Sequence, residues 1–324
     1  MTDAPLIPLL DWSLYSGGAD RAGFVAALGQ ACRETGFFLL ENHGLSEALV
    51  AETFAQGDAF FALPDAEKAP LDIRRNPHNR GWACQGSEAL DEQSGQMDRK
   101  EAFNVGFDLP PRDPRVVAGE PFRGVNVWPA LPGFRETLMR YYEAALNLGV
   151  TLMSAVAEDL SLPPDRFGPE FTEPMATLRL LHYPASAGTG AGTGDRTGEG
   201  IGEGIGAGAH TDYGALTLLM TDGVAGLQVK PRGADWLDVP QVPGALVVNI
   251  GDCLMRWTND TYASTPHRVL APKARRRSIA FFLDPNPDSV IAALPGTGTP
   301  RYPEVTGADY LRARLNATYT PEPK

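Results

Sequence analysis

Only five of the 324 residues are histidine, so the side chains able to do metal or acid–base chemistry can be taken one at a time. His210-Thr211-Asp212 sets an imidazole and a carboxylate two residues apart. In an extended segment, residues i and i+2 face the same side, so the two groups converge. His267 opens a later strand candidate in Ser264-Thr265-Pro266-His267-Arg268-Val269. Two imidazoles and one carboxylate on one face make the triad of non-haem Fe(II) oxygenases, which leaves coordination positions open for substrate and O2. Neutral imidazole and a hard carboxylate suit Fe(II) better than thiolate does. The competing reading is a hydrogen-bonded His–Asp pair with an unrelated second histidine, because His-x-Asp is a short pattern.

Nine residues after His267 stands Arg276-Arg277-Ser278, leading into Ile279-Ala280-Phe281-Phe282. On a strand, Arg276 and Ser278 share one face and Arg277 takes the other. A guanidinium beside a hydroxyl makes a fork for a carboxylate. A solvated basic cluster or a localisation signal is the alternative for Lys273 and Arg275 to Arg277. An apolar strand follows directly, however, so a half-buried arginine there needs a partner. A small dicarboxylate anchored at Arg276 and Ser278 would reach the metal with its other end.

Two kinds of element must carry these residues. Before about residue 160, helical spacing dominates. Asp20 to Glu34 and a helix capped by Ser46 and running to about Phe61 are predicted, the latter stopped by Pro64. Pro132 to Leu160 has a long helical period that Gly149 weakens, so one helix and two abutting helices both fit. Ile7 to Leu10 and Phe37 to Leu40 read as short strands, and 64–130 as irregular. From about 175 the pattern changes to short strands: Ala176 to Tyr183, Leu216 to Met220, Leu227 to Lys230, Trp236 to Val239, Ala245 to Ile250, Arg268 to Leu270 and Ser278 to Leu283. Ala308 to Leu315 looks helical. Between the halves lies Gly188 to Gly208, in which ten of 21 residues are glycine. That composition predicts a mobile loop and a candidate lid before His210, and it contains no phosphate-loop motif.

Composition narrows the setting. With 28 basic and 40 acidic residues, the formal charge of −12 argues against nonspecific binding to nucleic acid or anionic membrane. No apolar run approaches the length of a membrane span, and the first residues do not read as a signal peptide. Three widely spaced cysteines, Cys32, Cys84 and Cys253, make neither a disulfide scaffold nor a thiolate zinc site. A soluble, cytoplasmic setting is expected; oligomeric state is not readable.

Taken together, several strings resemble the isopenicillin N synthase-like branch of the Fe(II)/2-oxoglutarate dioxygenases. They are His210-Thr211-Asp212-Tyr213-Gly214, Val242-Pro243-Gly244-Ala245 to Asn249-Ile250-Gly251-Asp252, Ser264 to Val269, and Arg276-x-Ser278. Gly36-Phe37-Phe38, Asn42-His43-Gly44, Asn79-Arg80-Gly81-Trp82 and Lys100-Glu101-Ala102-Phe103 resemble that family's N-terminal region. The resemblance runs from about residue 5 to 290. It implies an α+β architecture, a double-stranded β-helix (jelly roll) with flanking α-helices. The corresponding regions are 1–130 (N-terminal region), 131–174 (bracing helices), 175–290 (jelly roll with the 188–208 loop) and 291–324 (C-terminal extension).

By the same resemblance, His210, Asp212 and His267 bind Fe(II). Arg276 and Ser278 hold the distal carboxylate of 2-oxoglutarate, and Tyr183 assists. Leu181 stands where some plant members carry asparagine. O2 is the co-substrate and ascorbate a candidate reductant. A small molecule is oxidised by hydroxylation or desaturation, with release of succinate and CO2. Tyr213, Arg80, Trp82, Phe103 and Phe282 are candidate substrate contacts by position, as is Trp257, although Trp257 and Phe282 equally suit the core. His43 and His182 read as structural, and His78 as a residue of a polar loop near Arg80 and Trp82. Three alternatives stand beside this reading: an ethylene- and succinate-forming oxygenase acting with arginine, an inactive binding protein on the same fold, and a zinc hydrolase.

Overall fold

Asp11, Asp20 and Ser46 each turn a side-chain oxygen onto a backbone N–H of the following turn, at 2.9, 3.0 and 3.2 Å. Each satisfies a donor that the start of a helix leaves without a partner. The helices they open are α1 (Trp12–Ser16), α2 (Arg21–Glu34) and α3 (Glu47–Phe61). The computed structural model describes residues 7–90, 97–185 and 201–318. Its further helices are α4 (Asp65–Lys68), α5 (Pro114–Ala118), α6 (Phe134–Asp159), α7 (Asp252–Trp257) and α8 (Gly307–Thr318).

Helix α6 is unbroken over 26 residues, about 39 Å at 1.5 Å per residue. The predicted stripe of Leu138, Tyr141, Ala145, Leu148, Leu152 and Val156 is buried along it. Gly149 does not interrupt the helix. A Cβ there would lie 3.3 Å from the Leu283 side chain, so the glycine lets the helix approach the sheet beneath it.

The strands are β1 (Leu9–Asp11), β2 (Phe37–Glu41), β3 (Gly81–Ala83), β4 (Glu101–Gly106), β5 (Thr177–Tyr183), β6 (Ile201–His210) and β7 (Leu216–Thr221). They continue with β8 (Leu227–Val229), β9 (Leu237–Asp238), β10 (Leu246–Ile250), β11 (His267–Pro272), β12 (Arg276–Leu283), β13 (Val290–Ile291) and β14 (Val305–Thr306). One sheet has eight strands in the order β1-β2-β10-β7-β12-β5-β4-β3, and a second has four, β6-β11-β8-β9. Neighbouring strands are antiparallel except β1 and β2. This is the expected jelly roll with flanking helices.

Strand alternation divides the core in two. Leu178, Leu180, Leu218, Ile279 and Phe281 face α6 and its neighbours. Leu181, Tyr183, Ala280, Val229 and Val269 belong to a second cluster, between the sheets. The site opens out of this second layer.

Two expectations need correction. The span 64–130 is not irregular throughout: β3 and β4 extend the large sheet, with Asn104 opposite Arg179 and Phe103 opposite Leu180. The glycine-rich stretch is not all loop either. Ile201 to Gly208 lies in β6, which pairs with β11. The strict alternation of glycine with other residues from 201 to 209 is a period-two signal, which the glycine count obscured. The rest of the predicted lid, up to residue 200, lies outside the described residues.

Candidate metal centre and its cavity

β6 ends on His210 and β11 begins on His267, and the two residues are directly paired across the strands. Their rings sit 4.4 Å apart, centre to centre. Asp212 follows in the turn after β6 and brings Oδ1 to 3.8 Å from His210 Nε2 and 3.6 Å from His267 Nε2. The three ligand atoms lie within 4.8 Å of one another.

The atoms facing away from that point are all engaged. His210 Nδ1 lies 2.7 Å from the Gly208 carbonyl, and His267 Nδ1 lies 3.2 Å from that of Thr265. A carbonyl only accepts, so each Nδ1 carries the proton and each Nε2 keeps its lone pair. Asp212 Oδ2 accepts from the Thr217 hydroxyl at 2.6 Å and from the Asn249 amide at 2.8 Å, which leaves Oδ1 for the centre. Outer partners of this kind orient metal ligands.

The Asp212 turn is itself clamped. The backbone N–H groups of Asp252 and Cys253 donate to the Asp212 and Tyr213 carbonyls at 2.8 and 3.0 Å. A Cβ on Gly251 would stand 2.2 Å from the Gly214 carbonyl, so only glycine admits this approach.

Electrostatics favour a cation here. Burial, with the neighbouring His267, pushes His210 down to about 3, so it is neutral. Burial would also lower His267, but the Asp212 carboxylate outweighs it and holds that imidazole above its ordinary value. Burial works against ionising Asp212, yet the two imidazoles and the Thr217 hydroxyl hold its carboxyl well below the usual range. Two histidines and a carboxylate, with neither thiolate nor lysine among them, fit a divalent first-row metal such as Fe(II).

Arg276 is almost fully buried on the inner face of β12. Its Nε donates to the Val224 carbonyl at 3.2 Å, Nη1 lies 3.5 Å from Ser278 Oγ, and the guanidinium stands 5.0 Å from the Tyr183 ring centre. Among the described residues no carboxylate pairs with it. Arg277, one step along, turns outward to Asp58 and Asp222 at 2.6 and 3.2 Å. A buried cation without a counter-ion is costly. The site therefore fits an anionic end of a small ligand.

A cavity of about 160 Å³ joins this fork to the triad. Tyr183, Ser278, Tyr213 and Phe282 line it. Asp284, also on its wall, is pushed up to about 8 by burial and by the charge of Asp212, so its carboxyl is neutral at pH 7.

Arg80, Trp82 and Phe103 do not reach the cavity, contrary to the positional expectation. Arg80 is buried among carbonyls, donating to those of Gly124 and Phe107 at 2.8 and 2.9 Å, and burial lowers it to about 10. It ties the 106–126 segment to the sheet. Trp82 donates its indole N–H to Glu101 at 2.9 Å. Phe103 packs on Phe60 and Phe134, 4.7 and 5.2 Å between ring centres. Trp82 and Phe103 form a cross-strand pair on the helix side of the sheet. Asn79 and Asn104, each one residue from Arg80 and Phe103, do line the cavity, since one residue along an extended segment changes the face.

Trp257 is core, its indole N–H donating to the Val290 carbonyl at 3.1 Å. His43 closes its turn, with Nε2 2.8 Å from the Gly244 carbonyl. His182 stacks on Phe61 and meets Glu101 at 3.1 Å. His78 packs against Gly124, away from the cavity wall.

Sequence reasoning missed Thr217, Asn249, Asn104 and Arg179, all of which line the cavity. Each is a polar side chain flanked on both sides by apolar residues within its strand, and that was the available signal. The helix expected at Ala308 to Leu315 is present as α8, but its part in the cavity was missed: Leu311 and Leu315 reach the wall.

Comparison with known proteins accords with this geometry. Residues 7–131 match the family described as non-haem dioxygenase in morphine synthesis N-terminal, and 176–285 the 2OG-Fe(II) oxygenase superfamily. A curated relative, the 2-oxoglutarate-Fe(II) type oxidoreductase hxnY of Emericella nidulans, is 37% identical over 96% of this chain and 90% of its own. A 2-oxoglutarate-dependent dioxygenase of Didymella fabae is 40% identical over 90% of this chain and 88% of its own. Among solved structures, a full-length Neurospora crassa protein in complex with alpha-KG and thymine superposes with a TM-score of 0.81 at 29% identity, covering 98% of both chains. A 2OG-Fe(II) oxygenase family protein from Caulobacter crescentus gives a TM-score of 0.81 at 33% identity, covering 96% of this chain and 98% of the other.

Proposed function

The chain belongs to the 2-oxoglutarate/Fe(II)-dependent oxygenases, and from that premise we propose that His210, Asp212 and His267 hold its Fe(II), while Arg276 and Ser278, beside Tyr183, hold the distal carboxylate of 2-oxoglutarate. The protein is an enzyme that oxidises a small molecule with O2 as co-substrate. For a hydroxylation, the balance is substrate C–H plus O2 plus 2-oxoglutarate giving substrate C–OH, succinate and CO2. One oxygen atom enters the product and the other the succinate. The bound iron supplies the redox chemistry. The protein's own residues orient the ligands, anchor the co-substrate and keep water from the reacting carbon.

The observation that carries this assignment is the direction of the lone pairs. Of the triad's own side-chain atoms, both Nδ1 atoms and Asp212 Oδ2 are engaged, and the two Nε2 atoms and Asp212 Oδ1 that remain lie within 4.8 Å of one another. An inactive binding protein has no use for that arrangement. A zinc hydrolase has no use for the buried Arg276.

The test is succinate formation from 2-oxoglutarate under air, with Fe(II) and ascorbate. Iron-dependent succinate that rises when a primary substrate is added is expected, and its absence under every condition would refute the reading. Ethylene in the headspace would instead mark the fragmenting branch that acts with arginine.

The outer partners give a graded expectation. Thr217→Val and Asn249→Leu each remove one of the two donors to Asp212 Oδ2. Each should weaken Fe(II) binding by about 10- to 100-fold. Competition with a chromophoric chelator measures this, and native affinity in both variants would refute the orienting role.

We place the reaction in a reducing compartment. The three cysteines are free, two of them buried, and among the described residues no helix is long and apolar enough to cross a membrane.

A further inference from the structure

We propose that the primary substrate is an uncharged small molecule with an amide-, lactam- or imide-type edge, whose N–H is read by Asn104 Oδ1 and whose carbonyl lies against Lys100 and Arg179. The inference rests on the proposed roles of the triad and of Arg276.

Asn104 is 1% exposed, lies on the inner face of β4 and lines the cavity. Its Nδ2 donates to the Asn79 carbonyl at 3.3 Å, which fixes the orientation of the amide. Among the described residues, Oδ1 is then a buried acceptor with no partner. Leaving such an atom unsatisfied costs free energy, so it marks where a donor binds. Leu90, Leu219 and Phe282 supply apolar wall around the same space.

The charges beside Asn104 cancel. Glu88 Oε2 is shared by Arg179 and Lys100, at 2.5 and 3.2 Å, and Lys100 also meets Asp98 at 2.5 Å. Among the described residues, these two cations and two anions offset one another. Burial would raise Glu88, but Arg179 and Lys100 outweigh it and hold its carboxyl at about 2. At the other end, Fe(II), Asp212, doubly charged 2-oxoglutarate and Arg276 also sum to zero. A carboxylate or ammonium substrate would enter this cavity without a counter-ion, and that desolvation is not repaid.

What remains is hydrogen-bond complementarity. Asn104 and Arg179 are directly opposed across β4 and β5. An acceptor thus stands next to a cation edge whose charge is already balanced. Adjacent C=O and N–H groups match that pattern.

The test uses the iron-loaded full-length enzyme with 2-oxoglutarate and reads succinate formed above the rate without added compound. The probes are uracil and 2-pyridone, their N-methylated forms, nicotinate and benzylamine. Uracil or 2-pyridone is expected to stimulate succinate formation at least about tenfold more than its N-methylated form, with nicotinate and benzylamine inert. In Asn104→Leu that N–H to N-methyl ratio should collapse toward one. Stimulation by nicotinate or benzylamine alone, or by neither N–H compound, would overturn the inference, as would an unchanged ratio in Asn104→Leu. The wild-type comparison needs no variant, so misfolding of Asn104→Leu leaves the test standing. Failure of the underlying reading looks different: no iron-dependent succinate with any compound.

Discussion

Asp212→Ala is expected to lower 2-oxoglutarate turnover by at least about 1,000-fold, or about 4 kcal/mol of transition-state stabilisation. Three losses coincide. The only anionic ligand disappears, so a divalent ion faces two neutral imidazoles. The Thr217 hydroxyl and Asn249 amide, now 2.6 and 2.8 Å from Oδ2, lose a buried acceptor. The charge that holds His267 above its ordinary value also goes.

Asp212→Asn separates charge from shape. Both outer partners are donors, so they will draw the new amide oxygen to the Oδ2 position. The NH2 group is then left facing the metal, where it offers no lone pair. The isosteric variant should therefore fail almost as completely as alanine. Fe(II) affinity and succinate formation check this. More than a tenth of native turnover in Asp212→Asn would mean that Asp212 is not the anionic ligand.

How much of this was legible in the sequence follows from the range of the forces involved. Two members of the candidate triad were readable because His210 and Asp212 stand only two residues apart where β6 ends, and the arginine–serine fork because Arg276 and Ser278 share one face of β12. Helix α6 was readable because a long apolar stripe exceeds what one glycine can undo. Face selection was not. Arg80, Trp82 and Phe103 sit in the right segment, but whether a strand residue meets the cavity or the helices depends on which sheet covers it. Asn104 and Phe103 differ by one position and belong to opposite layers. The same limit hid β6, because glycine gives no hydrophobic signal and the strand exists through pairing with β11. It also hid the buried Glu88–Lys100–Asp98–Arg179 group. Its members lie up to 91 residues apart and read singly as surface charge.

Arg276→Ala should raise the dissociation constant for 2-oxoglutarate by about 100- to 1,000-fold, the scale on which one partner of a buried charge pair is lost. What Arg276 lacks, among the described residues, is a carboxylate. Arg277 beside it has two carboxylates, and Arg179 has Glu88. Arg276 is more deeply buried than Arg277, yet among the described residues it has only the Val224 carbonyl, the distant Ser278 hydroxyl and the Tyr183 ring. A neutral acceptor and a π-face do not offset a buried guanidinium, whereas a carboxylate in the fork does. Arg276→Lys keeps the charge but gives up the planar fork, and should recover only part of the affinity. Anaerobic titration of the Fe(II)-loaded variants with 2-oxoglutarate measures both, while affinity for the metal alone should stay that of the native protein. Native 2-oxoglutarate affinity in Arg276→Ala would place the anchor elsewhere. Weakened metal binding in the same variant would show that Arg276 supports the fold rather than the co-substrate.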